Sequence, residues 1–158
     1  MSDPHGIFNW RRLDAWTTTS GQPREDELVA IRDLGVTHVV NLALHTHEKA
    51  LADEAASVAA LGMTYTHIPV EFDAPTEADY RRFVAAMAAA AGGTVHVHCI
   101  VNARVSAFFY RLQIEQGRSP DEARATMESI WRPGGVWARF IGDAAGSDLP
   151  HRFAGREY

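Results

Sequence analysis

Hydrophobic positions along the chain alternate between two periods. Leu28, Ile31 and Leu34 recur at helical spacing behind Pro23 and the acidic run Glu25–Glu27, and Gly35 follows as a stop. The run VTHVVNLAL (36–44) is nearly continuous and rich in β-branched residues, the pattern of a strand covered on both faces. A second helix is predicted over 48–61, closed by Gly62, and a strand over 63–70 (MTYTHIPV). Thr76 with Asp79 three residues on is a capping box. It opens a helix whose apolar stripe is Tyr80, Phe83, Val84, Met87 and Ala91. TVHVH (94–98) reads as a short strand, CIVNA as a loop, and Val105, Phe108, Phe109 and Leu112 as one helical face ending at Gly117. Ser119, Pro120 and Glu122 start a further helix that runs to about Trp131. Residues 8–18 suggest a pair of short edge strands.

Strand and helix alternate with short connections. The expected fold is therefore a single α/β domain with a mainly parallel central sheet of four to five strands flanked by helices. It spans residues 8–141, and 142–158, which lack periodicity, form a C-terminal tail. The 158-residue length and 46% hydrophobic content suit one sizeable core.

Charge narrows the partners. The formal net charge of −5 argues against nucleic acid or an anionic membrane surface. Lys49 is the single lysine beside fourteen arginines, and it sits in the polar segment HTHEKALADE, a poor setting for Schiff-base chemistry. No apolar run approaches the roughly 20 residues that span a bilayer. The first ten residues do not read as a signal peptide. A cytoplasmic setting is expected, where the one cysteine, Cys99, stays reduced.

The informative stretch is VHVHCIVNARVSAFFYRL (95–112). A buried strand ends at His98-Cys99, and the loop feeds a helix whose first turn holds Arg104 and Ser106. Ligands in open α/β sheets bind at the carboxyl ends of strands. Loop amides and the helix start would form an anion cradle there, a field that also favours a thiolate nucleophile. Arg104 would add a planar fork for two phosphate oxygens.

HCIVNARVS (98–106) resembles the signature loop of protein tyrosine and dual-specificity phosphatases: His-Cys, five residues, Arg, then Ser or Thr. The strand ending HIPV, the acidic loop EFDAPT (71–76) and the following helix match the family in order. SGQP (20–23) resembles an N-terminal feature of a bacterial branch of these phosphatases. The resemblance implies a hydrolase of phosphate monoesters working through a cysteinyl-phosphate intermediate, with no metal or organic cofactor. The implied substrate is a phosphorylated protein or small molecule. By the same resemblance Cys99 attacks phosphorus, and Arg104 with the loop Ile100, Val101, Asn102, Ala103 binds the phosphoryl oxygens. Ser106 eases departure of the thiolate, His98 supports the loop, and Asp73 protonates the leaving group, with Glu71 as second choice.

One departure stands out. Four residues, not five, separate Cys99 from Arg104. Either the loop is one residue shorter, or it keeps its length and the arginine has moved one position earlier. Ser106, seven residues after Cys99, and Asn102, where the family has a glycine that often takes a positive φ, favour the second. A spacing of four also occurs in some rhodanese-type sulfurtransferases, which makes sulfur transfer the alternative, beside a non-catalytic oxyanion-binding module. His45 and His47, and His96 and His98, form two His-x-His pairs, but neither has partners at metal-ligand spacing, so no metal site is assigned.

Overall fold

The computed structural model describes residues 2–146. Its centre is a five-stranded sheet in the order β1-β2-β5-β3-β4, formed by β1 (Arg11–Asp14), β2 (Thr17–Ser20), β3 (His38–Asn41), β4 (Thr64–His67) and β5 (Val95–His98). β5 lies in the middle and pairs in parallel with both β2 and β3. β3 pairs in parallel with β4, and only β1 runs antiparallel, on β2. The expected α/β fold with a mainly parallel sheet is thus present. One detail differs: β2 is an interior strand, because β1 covers its outer side. That explains why the polar run Thr17–Ser20 is buried throughout.

Six helices surround the sheet: α1 (Glu25–Asp33), α2 (Glu54–Ala60), α3 (Glu77–Ala89), α4 (Ala103–Glu115), α5 (Pro120–Glu128) and α6 (Gly135–Phe140). Most starts and stops follow the sequence signals. Thr76 accepts from the Asp79 amide and Asp79 accepts from the Thr76 amide, closing the capping box of α3. Gly35 and Gly117 follow the ends of α1 and α4 with positive φ, as expected of C-terminal glycines.

α2 is shorter than the predicted 48–61. Asp53 caps it by accepting from the Ala56 amide, and residues 44–50 are tied into turns instead. The His47 ring accepts from the Lys49 amide and the His47 carbonyl from that of Ala50, which takes this backbone out of the helical ladder.

The main core joins the face of β3 and β5 to α3, α4, α5 and α6 through Tyr80, Phe83, Phe108, Trp131 and Trp137. A second cluster, with Leu28, Ile31, Val39 and Val58, packs α1 and α2 on the opposite face. The sheet is therefore covered on both sides, which leaves the carboxyl ends of its parallel strands as the place for a ligand. Residues 147–158, most of the predicted tail, lie outside the described residues, and among those described no helix is long and apolar enough to cross a membrane.

Candidate active site

β5 delivers His98 and Cys99 to the carboxyl edge at the centre of the sheet, and α4 starts four residues later at Ala103. Asn102 caps that helix in the left-handed region, with φ 69°. Left-handed residues cost little as glycine or asparagine and more as other residues, so the asparagine is fitted to this turn. Among the described residues, the amides of Ile100, Val101, Asn102 and Ala103 donate to no protein acceptor. Four consecutive amides without an acceptor among the described residues, at the start of a thirteen-residue helix, are an arrangement able to receive an oxyanion. The whole segment from Cys99 to Arg104 is buried.

The N-terminal segment braces this loop. Asn9 Nδ2 donates to Val101 O at 2.9 Å while Asn102 Nδ2 donates to Asn9 O at 2.9 Å and to Thr19 Oγ1 at 3.0 Å. The Gln22 amide donates to Ile100 O at 3.0 Å, and the Gly21 amide to Phe8 O at 2.7 Å. Gly21 is packed so closely that a Cβ there would lie 2.4 Å from Ile100 O. SGQP is thus a strut against the loop, and its glycine is needed for close approach. Nothing in the sequence marked Asn9 or the contact between Gly21 and the loop, which join positions about eighty residues or more apart.

Below Cys99 the strand carries two buried histidines. His96 Nε2 meets Ser20 Oγ at 2.8 Å and Nδ1 meets Thr18 Oγ1 at 2.8 Å. Ser20 Oγ gives its proton to Gly21 O, so it accepts from Nε2–H. Burial, with the charge of His98 second, holds His96 well below the usual imidazole range and keeps it neutral. The His98 Nδ1 lies 3.0 Å from Cys99 O. Its Nε2 lies 2.6 Å from Glu54 Oε2, and Gln22 Nε2 donates to Glu54 Oε1 at 2.9 Å. Burial pushes the Glu54 carboxyl upward, but attraction to His98 and the hydrogen bonds from His98 and Gln22 outweigh it and leave it below its ordinary value.

Arg104 is wholly buried in the first turn of α4. Its Nη1 donates to Val70 O at 2.8 Å and its guanidinium lies 5.4 Å from the centre of the Phe72 ring. The arginine therefore reaches the root of the acidic loop. Phe72 is buried, and its carbonyl accepts from Trp137 Nε1 at 2.6 Å, so Glu71 and Asp73 are held exposed on either side of an anchored residue. Trp131 and Trp137 of the WRPGGVWARF segment are buried in the main core, and Trp137 also fixes this loop.

Ser106 lies two residues beyond Arg104, about 200° around the helix. It donates to Ala103 O at 2.9 Å and accepts from Trp131 Nε1 at 3.0 Å. The structure thus gathers Cys99, the loop amides and His98, brings Arg104 to the base of the Asp73 loop, and turns the Ser106 proton into its own helix. His45 stacks on His67 at 3.6 Å and meets Tyr65 Oη at 2.8 Å. Among the described residues no three His, Cys, Asp or Glu side chains are grouped to hold a metal ion. A cleft of about 210 Å³ opens beside the loop, lined by Phe8, Gln22, Pro23, Lys49, Leu51 and Ile100.

A DUF442 protein from Shewanella putrefaciens CN-32, described as a phosphatase candidate, superposes with a TM-score of 0.80 at 32% identity, over 87% of this chain and 91% of that one. The chain belongs to the DUF442 family. Its fold is that of the tyrosine- and dual-specificity-type cysteine phosphatases. TpbA of P. aeruginosa, in complex with phosphotyrosine, matches with a TM-score of 0.63 at 21% identity, over 77% of this chain and 72% of its own. The catalytic domain of the PP-IP phosphatase SIW14 of S. cerevisiae, in complex with citrate, matches with a TM-score of 0.68 at 13% identity, over 87% of each chain. Identity this low leaves the fold as the shared feature. No protein-family model matches the chain, and no curated protein does.

Proposed function

We propose that this DUF442 protein hydrolyses phosphate monoesters through a cysteinyl-phosphate intermediate on Cys99. The observation that carries the reading is the run of amides from Ile100 to Ala103, without a protein acceptor, directly after a lone cysteine at the end of the central strand. Phosphoryl transfer asks a protein mainly to position the group and to stabilise charge on its equatorial oxygens, which such a cradle does.

In the first step the Cys99 thiolate attacks phosphorus, the P–S bond forms and the P–O bond to the leaving group breaks. Asp73 gives that oxygen a proton. In the second step water attacks phosphorus, its proton passes to the Asp73 carboxylate, and the P–S bond breaks to release phosphate and the thiolate. Arg104 supplies positive charge beside the cradle and ties α4 to the loop that carries Asp73, with Glu71 the alternative acid. For Ser106 to ease departure of the thiolate, its hydroxyl has to turn away from Ala103 O. The phosphotyrosine bound by TpbA and the description of SIW14 as a PP-IP phosphatase support a phosphorylated substrate, protein or small molecule. A cytoplasmic site of action and a dual-specificity or tyrosine preference belong to the same proposal.

The test is a paired assay on wild type and Cys99→Ser: aryl-phosphate hydrolysis and thiosulfate:cyanide transfer. Hydrolysis abolished by the substitution supports the reading, and hydrolysis that survives it removes Cys99 from the mechanism. Transfer without hydrolysis establishes the sulfurtransferase alternative. The burial of Arg104 against Val70 favours one further reading, a non-catalytic module that binds oxyanions. Inactivity in both assays with tight vanadate binding would select it.

A further inference from the structure

Glu54 contributes to no step described above, yet it is a buried carboxylate aimed at the residue before the nucleophile. Of the two groups that meet the His98 ring, the Cys99 carbonyl has a fixed hydrogen-bonding role. A backbone carbonyl only accepts, so the His98 Nδ1 that lies 3.0 Å from Cys99 O carries a proton. An ionised Glu54 would likewise only accept, which would put a proton on Nε2, 2.6 Å from Glu54 Oε2. With a proton on each nitrogen the ring would be an imidazolium.

We propose that Glu54 is a positioning residue that holds His98 as an imidazolium, oriented with its positive charge toward the Cys99 loop. The assignment rests on the reading of Cys99 as the nucleophile. Its physical logic is that of a dipole. The negative end sits at the start of α2, on the far side of the imidazole ring from the carbonyl of Cys99, which the positive end bonds. The nearer charge therefore dominates at the sulfur. Gln22 of the SGQP turn completes the carboxylate's hydrogen bonding through Oε1, which gives that turn a second task besides bracing Ile100.

The surrounding groups leave this assignment consistent. On β5, His96 is kept neutral, and its depression includes repulsion from the charge on His98. On β4, desolvation and repulsion from His45 and His98 lower His67, whose Nε2 lies 2.6 Å from Ala43 O. From the β3–α2 connection, His45 and Asp53 face the carboxylate and Tyr65. Among the described residues, Glu54 is the acidic group in contact with the His98 ring.

Two measurements test the proposal. In the wild type, nitrogen-15 NMR of the His98 ring at neutral pH is expected to show both ring nitrogens protonated, and a neutral tautomer would overturn the assignment without any variant. The ultraviolet thiolate absorbance of the chain's one cysteine supplies the second readout, with Cys99→Ser as the blank. Glu54→Gln preserves size and can still bond Nε2, but removes the charge. It should lower that absorbance several-fold at neutral pH with the circular dichroism unchanged. Glu54→Asp should restore part of it, and Glu54→Gln should add nothing to the loss caused by His98→Asn. Unchanged absorbance in Glu54→Gln, or additive losses, refutes the coupling. Both readouts concern the ring and the sulfur, so a wild type that shows them but hydrolyses no aryl phosphate would sink the phosphatase reading and leave this one standing.

Discussion

Gly21→Ala is the sharpest perturbation of the cradle that leaves every catalytic candidate in place. The added Cβ would lie 2.4 Å from Ile100 O, 2.9 Å from Phe8 Cδ1 and 3.2 Å from Ile100 C. Phe8 is more than half exposed and can swing aside, whereas Ile100 presents main chain that is part of the loop. The turn and the loop must therefore separate. That overpacking costs about 1–3 kcal/mol. Stretching the Gln22 amide bond to Ile100 O adds about 1 kcal/mol. The total of about 3 kcal/mol corresponds to a fall in melting temperature of about 10 °C in a domain of this size.

Because the displaced atoms belong to the cradle, kcat on an aryl phosphate should fall along with stability. Thermal unfolding by circular dichroism and steady-state kinetics at a temperature where both proteins are folded separate the two effects. A variant that melts within about 2 °C of wild type and keeps full activity would refute the claim that SGQP is packed against the loop.

Other sites give distinct signatures. Asn102→Ala loses two hydrogen bonds and puts at positive φ a residue that tolerates it less well than asparagine, at a cost of about 3 kcal/mol. Asn102→Gly keeps the backbone conformation and should cost about half as much, an order that urea unfolding would reverse if the left-handed turn were unimportant. Asp73→Asn should lower kcat by about 10²–10³ on substrates with poor leaving groups and far less on activated aryl esters. Glu71→Gln should do little, and the opposite ranking would move the general acid to Glu71. His96 is held below its ordinary value of 6.5, so below that pH the unfolded chain takes up a proton that the folded chain refuses. Stability present above pH 6.5 should then drain away on acidification by up to about 1.4 kcal/mol per pH unit. His96→Gln should flatten this slope in melts between neutral pH and pH 5, and an unaltered slope would place the loss on other groups.

What the sequence disclosed and what it hid differ in range. The strand-loop-helix at 95–115 and the Thr76 capping box were legible because each is specified by neighbours a few residues apart. Glu54 was hidden inside a helix predicted to start at residue 48, where an acid reads as solvated surface. Its partner His98 is forty-four residues away, and only the fold brings the two together. The Asn9–Asn102 exchange and the interior place of β2 are hidden for the same reason. Pairing across a sheet is decided by which strands end up adjacent, and four polar residues in Thr17–Ser20 suggest an edge until β1 is seen to cover them.

The same distinction bears on the spacing between Cys99 and Arg104. On a helix each position turns the side chain by about 100°. An arginine placed one residue early at the start of α4 points a quarter turn or more away from where a later one would point. Here that direction leads to Val70 O and the Phe72 ring, the root of the acidic loop, while Ser106 turns toward Trp131. Asn102 is left-handed three residues after Cys99, and we propose that the loop kept its length while the arginine moved. On that reading one guanidinium cannot serve the acid loop and grip two phosphoryl oxygens with full freedom. More of the charge on a bound oxyanion then falls to the amides of Ile100–Ala103, the start of α4 and the imidazolium held by Glu54. An atypical arginine and an unusually well-partnered histidine would be two halves of one arrangement.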